Sequence, residues 1–306
     1  MTFHNRINHS RFGLLQIALF FLLFFVVPVL VAPVSIRGQE TGTRTQKPVQ
    51  RPPIDGAVVF AVNKHPDGAT LDPIVIFNKG KYIDPLPEDQ TFVEQVGAKY
   101  LRAGQTHRVI FGGAEAGTIV VGSRHEFGLT TGGTLQSSIK LSDEVMALAT
   151  SSETLGGKQS SRRAPTATER EAIINLMRQA YRQRRIAPSA IAKVQVNNIT
   201  AVDVDADGQG ELIGSFEIHG QNYNIKSLFL IAEMKDGQYR PGLIWYHNGA
   251  EGTAEVRRLI DVLDLDGDGV AEVFAMTGYY ESSDFTIYKR VKGVWRSVYQ
   301  GGGFGV

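Results

Sequence analysis

The sequence predicts a mainly β fold class. An N-terminal hydrophobic export helix and a small N-terminal β domain come first, and one amphipathic helix and two four-stranded antiparallel units follow. Three observations support this prediction. Short apolar runs separated by Gly, Pro and Asp turns fill residues 57–150 and 197–300. One segment, 168–187, has helical periodicity. One acidic loop pattern occurs twice, each time with alternating, strand-like flanks.

The N-terminal segment predicts export from the cytoplasm. Arg6 and Arg11 precede the apolar run 14–27, and positive charge before such a run favours translocation of the remainder. Residues 1–34 are either a signal peptide, with cleavage after Gly38, or an uncut membrane anchor, since residues 12–34 can span a bilayer of ~30 Å. The expected location of the body is the periplasm, the cell surface or the outer face of the membrane.

The composition of residues 35–306 predicts the domain organisation of the rest of the chain. Residues 35–55 are polar and Pro-rich, which is typical of a disordered linker. A small β domain at 56–150 and a second linker at 151–165 follow, and residues 166–306 contain the helix and the duplicated loops. The chain has no cysteine, which excludes disulfides and a lipid-modified cysteine. A bound metal is an alternative way to stabilise an exported protein.

Composition restricts the partners only weakly. The net charge of +1 shows no global bias towards nucleic acid or an acidic substrate. Residues 158–193 contain nine Lys or Arg against two Glu. Export argues against a nucleic-acid partner for this basic run, which leaves an anionic glycan or lipid surface, another envelope component, or a solvated helix face.

The predicted helix begins at a capping box formed by Thr168 and Glu171 and ends before Pro188. Its expected buried face consists of the apolar residues that recur at helical spacing: Ile173, Leu176, Met177 and Ala180.

The passage LDLDGDGVAE places carboxylates at the first, third, fifth and ninth positions of one short loop: Asp264, Asp266, Asp268 and Glu272. Charges of one sign this close repel by roughly 1 kcal/mol in water and more near a protein surface, so a compensating cation is expected. Gly269 at the sixth position permits a sharp reversal. The pattern is not an EF-hand, because the twelfth position is Ala275, which cannot ligate.

The same loop occurs 61 residues earlier (264 minus 203), with Gly208 at the sixth position. Its carboxylates are Asp203, Asp205, Asp207 and Glu211. Two copies in register indicate an internal repeat and favour calcium over a plain acidic hairpin turn.

These loops resemble the FG-GAP or VCBS repeats, which are related to the N-terminal β-propeller of integrin α subunits. The resemblance implies a calcium ion held by side chains 1, 3, 5 and 9 and by the backbone carbonyl at position 7, here Gln209 and Val270. It covers roughly residues 197–302, and both loops have Glu at position 9. It also implies that each four-stranded unit is propeller-blade-like, although two repeats are too few for a closed ring.

The strands of the two units can be placed from the repeat. The expected positions are 197–204, 211–219, 224–234 and 239–247, then 257–264, 271–280, 284–290 and 294–300. The two sheets form either a face-to-face sandwich or part of an incomplete propeller extended by the N-terminal domain.

Function is predicted as non-catalytic recognition or scaffolding, with an unknown protein or glycan ligand. The alternative is a glycan-active or other hydrolase with its site in the N-terminal β domain, although the acids there lack a diagnostic spacing: Asp84, Glu88, Asp89, Glu94 and Glu115. The histidines of that domain, His65, His107 and His125, fall in no metal-ligand spacing and are expected at the surface. The sequence does not indicate an oligomeric state.

Overall fold

The computed structural model describes residues 54–65, 68–124, 130–142, 145–221, 224–250 and 252–305, and these form a mainly β fold with several antiparallel sheets, as predicted. The predicted export segment at 1–34 lies outside the described residues, as does the 35–55 linker apart from Ile54 and Asp55. Within the described ranges, no helix has the length and apolar character needed to cross a membrane.

The N-terminal strands form a sheet that closes on itself. Its ring order is β1-β7-β4-β5-β6-β2, and β1 pairs with both β7 and β2, while β3 adds to the outer side of β2. All of these pairings are antiparallel. The strands are β1 (Ala57–His65), β2 (Gly68–Asn78), β3 (Lys81–Ile83), β4 (Thr106–Phe111), β5 (Ala114–Arg124), β6 (Thr131–Ser137) and β7 (Ala147–Thr150). We call β1–β7 the barrel.

A helix that the sequence analysis did not predict packs against the barrel. This helix, α1 (Gln90–Tyr100), begins at Asp89, whose carboxylate accepts hydrogen bonds from the first-turn N–H groups of Thr91 and Phe92. Its buried residues include Phe92 and Val96, which join the apolar cluster of the barrel. Their helical spacing was present in the sequence, although the surrounding apolar runs favoured strands.

The expectation that His107 lies at the surface is wrong. His107 on β4 is 1% exposed, and its ring lies 4.8 Å from the ring of Phe60. Its Nε2 is 2.7 Å from the carbonyl oxygen of Tyr100 at the end of α1, so the neutral ring donates to this carbonyl. Burial lowers the pKa of His107. The side chain of His65 and the whole of His125 are outside what the structure describes.

The predicted helix is present as α2 (Ala167–Gln183), followed by the short α3 (Pro188–Ile191). Its capping box, however, is formed by Thr166 and Glu169, two residues before the predicted pair. Glu169 also pairs with Arg163 at 2.6 Å, a contact that the Thr168 and Glu171 pattern does not offer. The buried face comprises Ile173, Met177, Ala180 and Tyr181, while the predicted Leu176 is only partly buried.

The C-terminal half contains two four-stranded antiparallel sheets, each an up-and-down meander. Sheet 1 has the order β11-β10-β9-β8, and sheet 2 has the order β12-β13-β14-β15. The strands are β8 (Gln195–Val202), β9 (Glu211–His219), β10 (Ile225–Lys235), β11 (Gln238–Gly249), β12 (Val256–Leu263), β13 (Glu272–Gly278), β14 (Ser282–Val291) and β15 (Val294–Gly305). Each lies within a few residues of its expected position.

The sheets are stacked between α2 and the barrel. Three buried clusters define the order: α2 packs on sheet 1, sheet 1 packs on sheet 2, and sheet 2 packs on the barrel. Phe229 of sheet 1 and Tyr288 of sheet 2 stack on each other between the two sheets, with ring centroids 6.0 Å apart. The hydroxyl of Tyr299 on β15 donates to the carbonyl of Ile74 on β2 at 2.7 Å, which joins the last strand to the barrel.

The connecting segment 151–165 is fixed between these layers. The N–H and C=O of Arg163 both pair with Ala201 on β8, at 2.9 and 3.0 Å. The guanidinium of Arg162 lies 3.2 Å from Asp261 on β12, and Asp261 also accepts from the N–H of Gly112 in the β4–β5 turn at 2.8 Å. Arg162 therefore belongs to a buried ion pair and not to a solvated basic face.

Candidate metal centre

Each acidic loop joins the first two strands of its sheet. Loop 1, residues 203–211, connects β8 to β9, and loop 2, residues 264–272, connects β12 to β13. Buried apolar residues at both ends hold each loop in place, including Val202 and Leu212 around loop 1 and Leu263 and Val273 around loop 2. The closing glutamates are the first residues of β9 and β13. This position explains why they are buried while the loop tips are exposed.

The first carboxylate of each loop organises the turn in the same way. Asp203 accepts a hydrogen bond from the N–H of Gly208 at 2.9 Å, and Asp264 accepts one from Gly269 at 3.0 Å. Both glycines have left-handed backbone conformations, with φ of +85° and +86°. The glycine predicted at the sixth position is therefore required by the backbone in both copies.

The last carboxylate of each loop closes it. Glu211 accepts from the N–H of Val204 at 3.0 Å, and Glu272 accepts from the N–H of Leu265 at 2.8 Å. These glutamates are 4% and 0% exposed, respectively. The two loops therefore share these hydrogen bonds as well as the spacing of their carboxylates.

The fifth and seventh positions also correspond. Asp207 accepts from the N–H of Gln209 at 2.7 Å, and Asp268 accepts from the N–H of Val270 at 2.9 Å. Gln209 and Val270 thus occupy equivalent places, as the repeat predicts.

A backbone hydrogen bond joins the two loops. The N–H of Ala271 in loop 2 donates to the carbonyl of Val204 in loop 1 at 2.7 Å. The loops are therefore neighbours at one edge of the two stacked sheets.

The carboxylates converge into two groups that could hold a metal ion. Oxygens of Asp203, Asp205 and Glu211 lie within 4.8 Å of one another in loop 1. In loop 2 the corresponding group is Asp264, Asp266 and Asp268. Of the predicted side-chain ligands, Asp207 is not a member of the first group and Glu272 is not a member of the second.

Loop 1 contains carboxylate oxygens without a protein partner. Oδ1 of Asp203 and Oδ1 of Asp205 are both buried, and neither has a hydrogen-bond partner among the described residues. A buried acceptor in this state costs roughly 1 to 3 kcal/mol, which a cation bound between these oxygens would offset. The residues of loop 1 therefore fit a metal ion.

Two basic side chains that sequence reasoning missed reach the loops from β14. The ammonium of Lys289 lies 2.7 Å from Asp266, 2.7 Å from Asp268 and 2.9 Å from Glu272. Arg290, the next residue, pairs with Asp205 of loop 1. Consecutive residues of a strand point to opposite faces, so β14 places one basic side chain at each loop.

Arg290 connects loop 1 to the interior between the sheets. Its guanidinium also lies 3.5 Å from Glu233 on β10, which is 3% exposed. Glu233 accepts from the indole N–H of Trp295 at 2.8 Å and pairs with Lys235 at 2.6 Å. Asp205 and Glu233 thus share one arginine.

The electrostatics of the two loops differ. Burial raises the pKa of Glu211 to about 7, so its charge is costly without a compensating cation. Burial also raises the pKa of Glu272, although the Leu265 N–H and Lys289 oppose the shift. Burial tends to lower the pKa of Lys289, but its hydrogen bonds to Asp266, Asp268 and Glu272 outweigh burial and raise it.

Both loops line one cleft of about 940 Å³. Its opposite wall comes from the β4–β5 turn of the barrel and from the connecting segment, and it includes Gly113, Gly157, Ser160 and Ser161. The loops contribute Asp203, Asp264 and Asp266, so a ligand in this cleft would contact the candidate metal sites.

The chain matches no family model, and no curated protein or solved structure is significantly similar to it. These comparisons therefore neither support nor refute the resemblance to FG-GAP or VCBS repeats.

Three of the acids considered for a hydrolytic site in the N-terminal domain make structural contacts. Asp89 caps α1, Glu115 pairs with Arg108 at 2.7 Å, and Asp84 accepts from the N–H groups of Leu86 and Gly302 at 2.8 and 3.1 Å. Glu88 and Glu94 belong to neither of the two metal-ligand groups found among the described residues.

Proposed function

We propose that this protein is an exported, calcium-binding β-repeat protein with a non-catalytic role in recognition or scaffolding, in the periplasm or at the cell surface. In this proposal the metal ion holds the edge of the two stacked sheets in one conformation. The ligand is a protein or glycan that contacts this edge.

The observation that carries the proposal is the pair of buried, unpartnered oxygens on Asp203 and Asp205 beside Glu211. Three carboxylates that face one another repel unless a cation lies between them. Of these three acids, only Asp205 forms an ion pair with Arg290, and neither Asp203 nor Glu211 has an ion-pair partner among the described residues. A divalent cation would supply the missing charge.

Calcium is the ion that this donor set favours. All of the donors are oxygens, and calcium accepts six to eight oxygen ligands in flexible geometries, whereas magnesium demands near-ideal octahedral geometry. The carbonyls of Gln209 and Val270 and surrounding water would complete the coordination. A calcium concentration ten times the dissociation constant would add about 1.4 kcal/mol of stability per site.

The repeat architecture supports the same proposal. We assign sheets 1 and 2 as two propeller-blade-like FG-GAP or VCBS repeats, because each is a four-stranded meander with its acidic loop between the first and second strands. The barrel then packs against the outer face of the second blade, and the helix α2 packs against the first.

Thermal unfolding of the full-length protein in calcium, magnesium and chelator tests the metal role. We expect calcium to raise the melting temperature of the wild type and Asp203→Asn to remove most of that increase. Asp236→Asn is the matched control, because Asp236 lies in an exposed turn with a left-handed conformation that Asn also tolerates. Equal losses for Asp203→Asn in calcium and in chelator would contradict the proposal.

A turnover screen tests the non-catalytic part of the proposal. Chromogenic glycosides and esters should show no hydrolysis by the purified protein. Hydrolysis that persists in Asp264→Ala but disappears when an acid of the N-terminal β domain is replaced would instead establish the enzyme alternative.

A further inference from the structure

The two loops share backbone hydrogen bonds to their first and last carboxylates, but the basic side chains that contact the loops differ. In loop 2, the Lys289 ammonium contacts three of the four carboxylates at 2.7 to 2.9 Å, and 15% of the lysine side chain is exposed. One tethered positive charge thus lies among the groups that a metal ion would use.

Among the described residues, no cation lies between the carboxylates of loop 1 as Lys289 does in loop 2. Arg290 contacts Asp205 from one side and shares its charge with Glu233, while Oδ1 of Asp203 and Oδ1 of Asp205 are buried without a partner among the described residues. A metal ion can bind these oxygens without displacing a protein cation from between them.

We propose that Lys289 occupies loop 2 as a tethered cation, so that a divalent ion binds loop 1 first and enters loop 2 only by displacing the Lys289 ammonium. This inference rests on the calcium-binding function proposed above. In this proposal, Lys289 makes the divalent-ion affinity of loop 2 lower than that of loop 1.

The physical reason is that the Lys289 ammonium and a calcium ion compete for the same carboxylates of loop 2. The ammonium is held beside the carboxylates by the chain, so its effective concentration there is high. A calcium ion that enters loop 2 must break three charge-assisted hydrogen bonds and return Lys289 to water. The contacting carboxylates carry three negative charges against one positive charge, so the loop still attracts a divalent ion at higher concentration.

Calcium titration calorimetry on the full-length protein tests the proposal. The informative background is Asp203→Asn, which keeps an acceptor for the Gly208 N–H but weakens loop 1, so that loop 2 is observed. In this background, adding Lys289→Met should raise the calcium affinity by at least about tenfold, which is 1.4 kcal/mol. Lys81→Met, at an exposed lysine on β3, is the matched control and should leave the affinity unchanged.

The outcomes separate this inference from the proposed function. If the wild type binds calcium and Asp203→Asn reduces binding, but Lys289→Met leaves the remaining site unchanged or weaker, then Lys289 is not a competing cation and the calcium function stands. If neither the wild type nor any variant binds calcium, both proposals are overturned.

A second measurement avoids dependence on the stability of the variant. Amine acetylation of the wild type, quantified by mass spectrometry, should modify Lys289 slowly without metal and several times faster at saturating calcium, while Lys81 reacts at a constant rate. Equal Lys289 labelling with and without calcium, when two ions are bound, would overturn the displacement.

Discussion

The guanidinium of Arg162 lies 3.2 Å from the carboxylate of Asp261, and the two side chains are only 3% and 0% exposed. Arg162 also donates to the carbonyls of Met146 and Ile260, at 3.1 and 2.8 Å. One side chain from the connecting segment thus reaches both the barrel and sheet 2. Burial raises the pKa of Asp261 to about 6, against the opposing effect of Arg162.

The first prediction concerns this buried pair. Arg162→Met should lower the free energy of unfolding by about 3 to 5 kcal/mol, because it leaves Asp261 buried without its partner. Arg163→Met is the control: its side chain is 48% exposed, and loss of its pair with Glu169 should cost at most about 1 kcal/mol. Urea unfolding at neutral pH measures both. Similar losses for the two arginines would contradict the buried role of Arg162.

The second prediction concerns the acidic residue shared by the two sheets. Glu233→Leu should destabilise the protein by about 3 kcal/mol, because it leaves the Trp295 N–H and Arg290 without their buried acceptor. Glu233→Gln retains an acceptor for Trp295 and should cost less. Denaturant unfolding followed by tryptophan fluorescence provides the measurement, and a Glu233→Leu variant as stable as the wild type would refute this assignment.

The third prediction is a pH dependence from His107. Burial lowers the folded-state pKa of His107 below its ordinary value of 6.5, so between the two pKa values the unfolded chain binds more protons. The free energy of unfolding should therefore rise with pH through this window and fall on acidification below about 6.5.

Comparison with His107→Gln isolates this contribution. Asp261, whose raised pKa of about 6 gives the opposite trend, is present in both proteins and cancels. The loss of stability between pH 7.5 and pH 5, measured by urea unfolding, should be larger in the wild type. An identical pH dependence in the variant would show that His107 is not buried in its neutral form.

The fourth prediction concerns the contact between the last strand and the barrel. Gly302 has a φ of +65°, and a Cβ there would lie 2.3 Å from the carbonyl oxygen of Ile74. Gly293 has a similar φ of +76° but open space around it. Gly302→Ala should therefore be less stable than Gly293→Ala by about 1 to 3 kcal/mol, the cost of a steric clash in a packed region. Thermal melts of the two variants make the comparison, and equal melting temperatures would contradict the close approach of β15 to β2.

Local patterns predicted much of sheets 1 and 2. The Asp-rich spacing and its glycine determine the loop conformation within nine residues, so both loops and the strands beside them follow from short stretches of sequence. The strand β9 begins at Glu211 and ends at His219, as expected from the sequence, because apolar residues continue directly from the loop.

Contacts between distant residues were not predictable in the same way. The sequences from Thr166 to Glu169 and from Thr168 to Glu171 both fit a capping box, and the pair that forms is the one whose glutamate reaches Arg163. Lys289 enters loop 2 only because β14 pairs beside β13 in a particular register. Closure of the barrel depends on the pairing of β1 with β2 and with β7, which the separate apolar runs do not specify.

Hydrogen exchange at the bond from the Ala271 N–H to the Val204 carbonyl can measure motion between the two sheets. The donor lies in the loop of sheet 2 and the acceptor in the loop of sheet 1, so this amide proton can exchange with deuterated solvent only when the two loops separate. Its exchange rate therefore reports, at a single backbone position, how often the two halves of the repeat come apart.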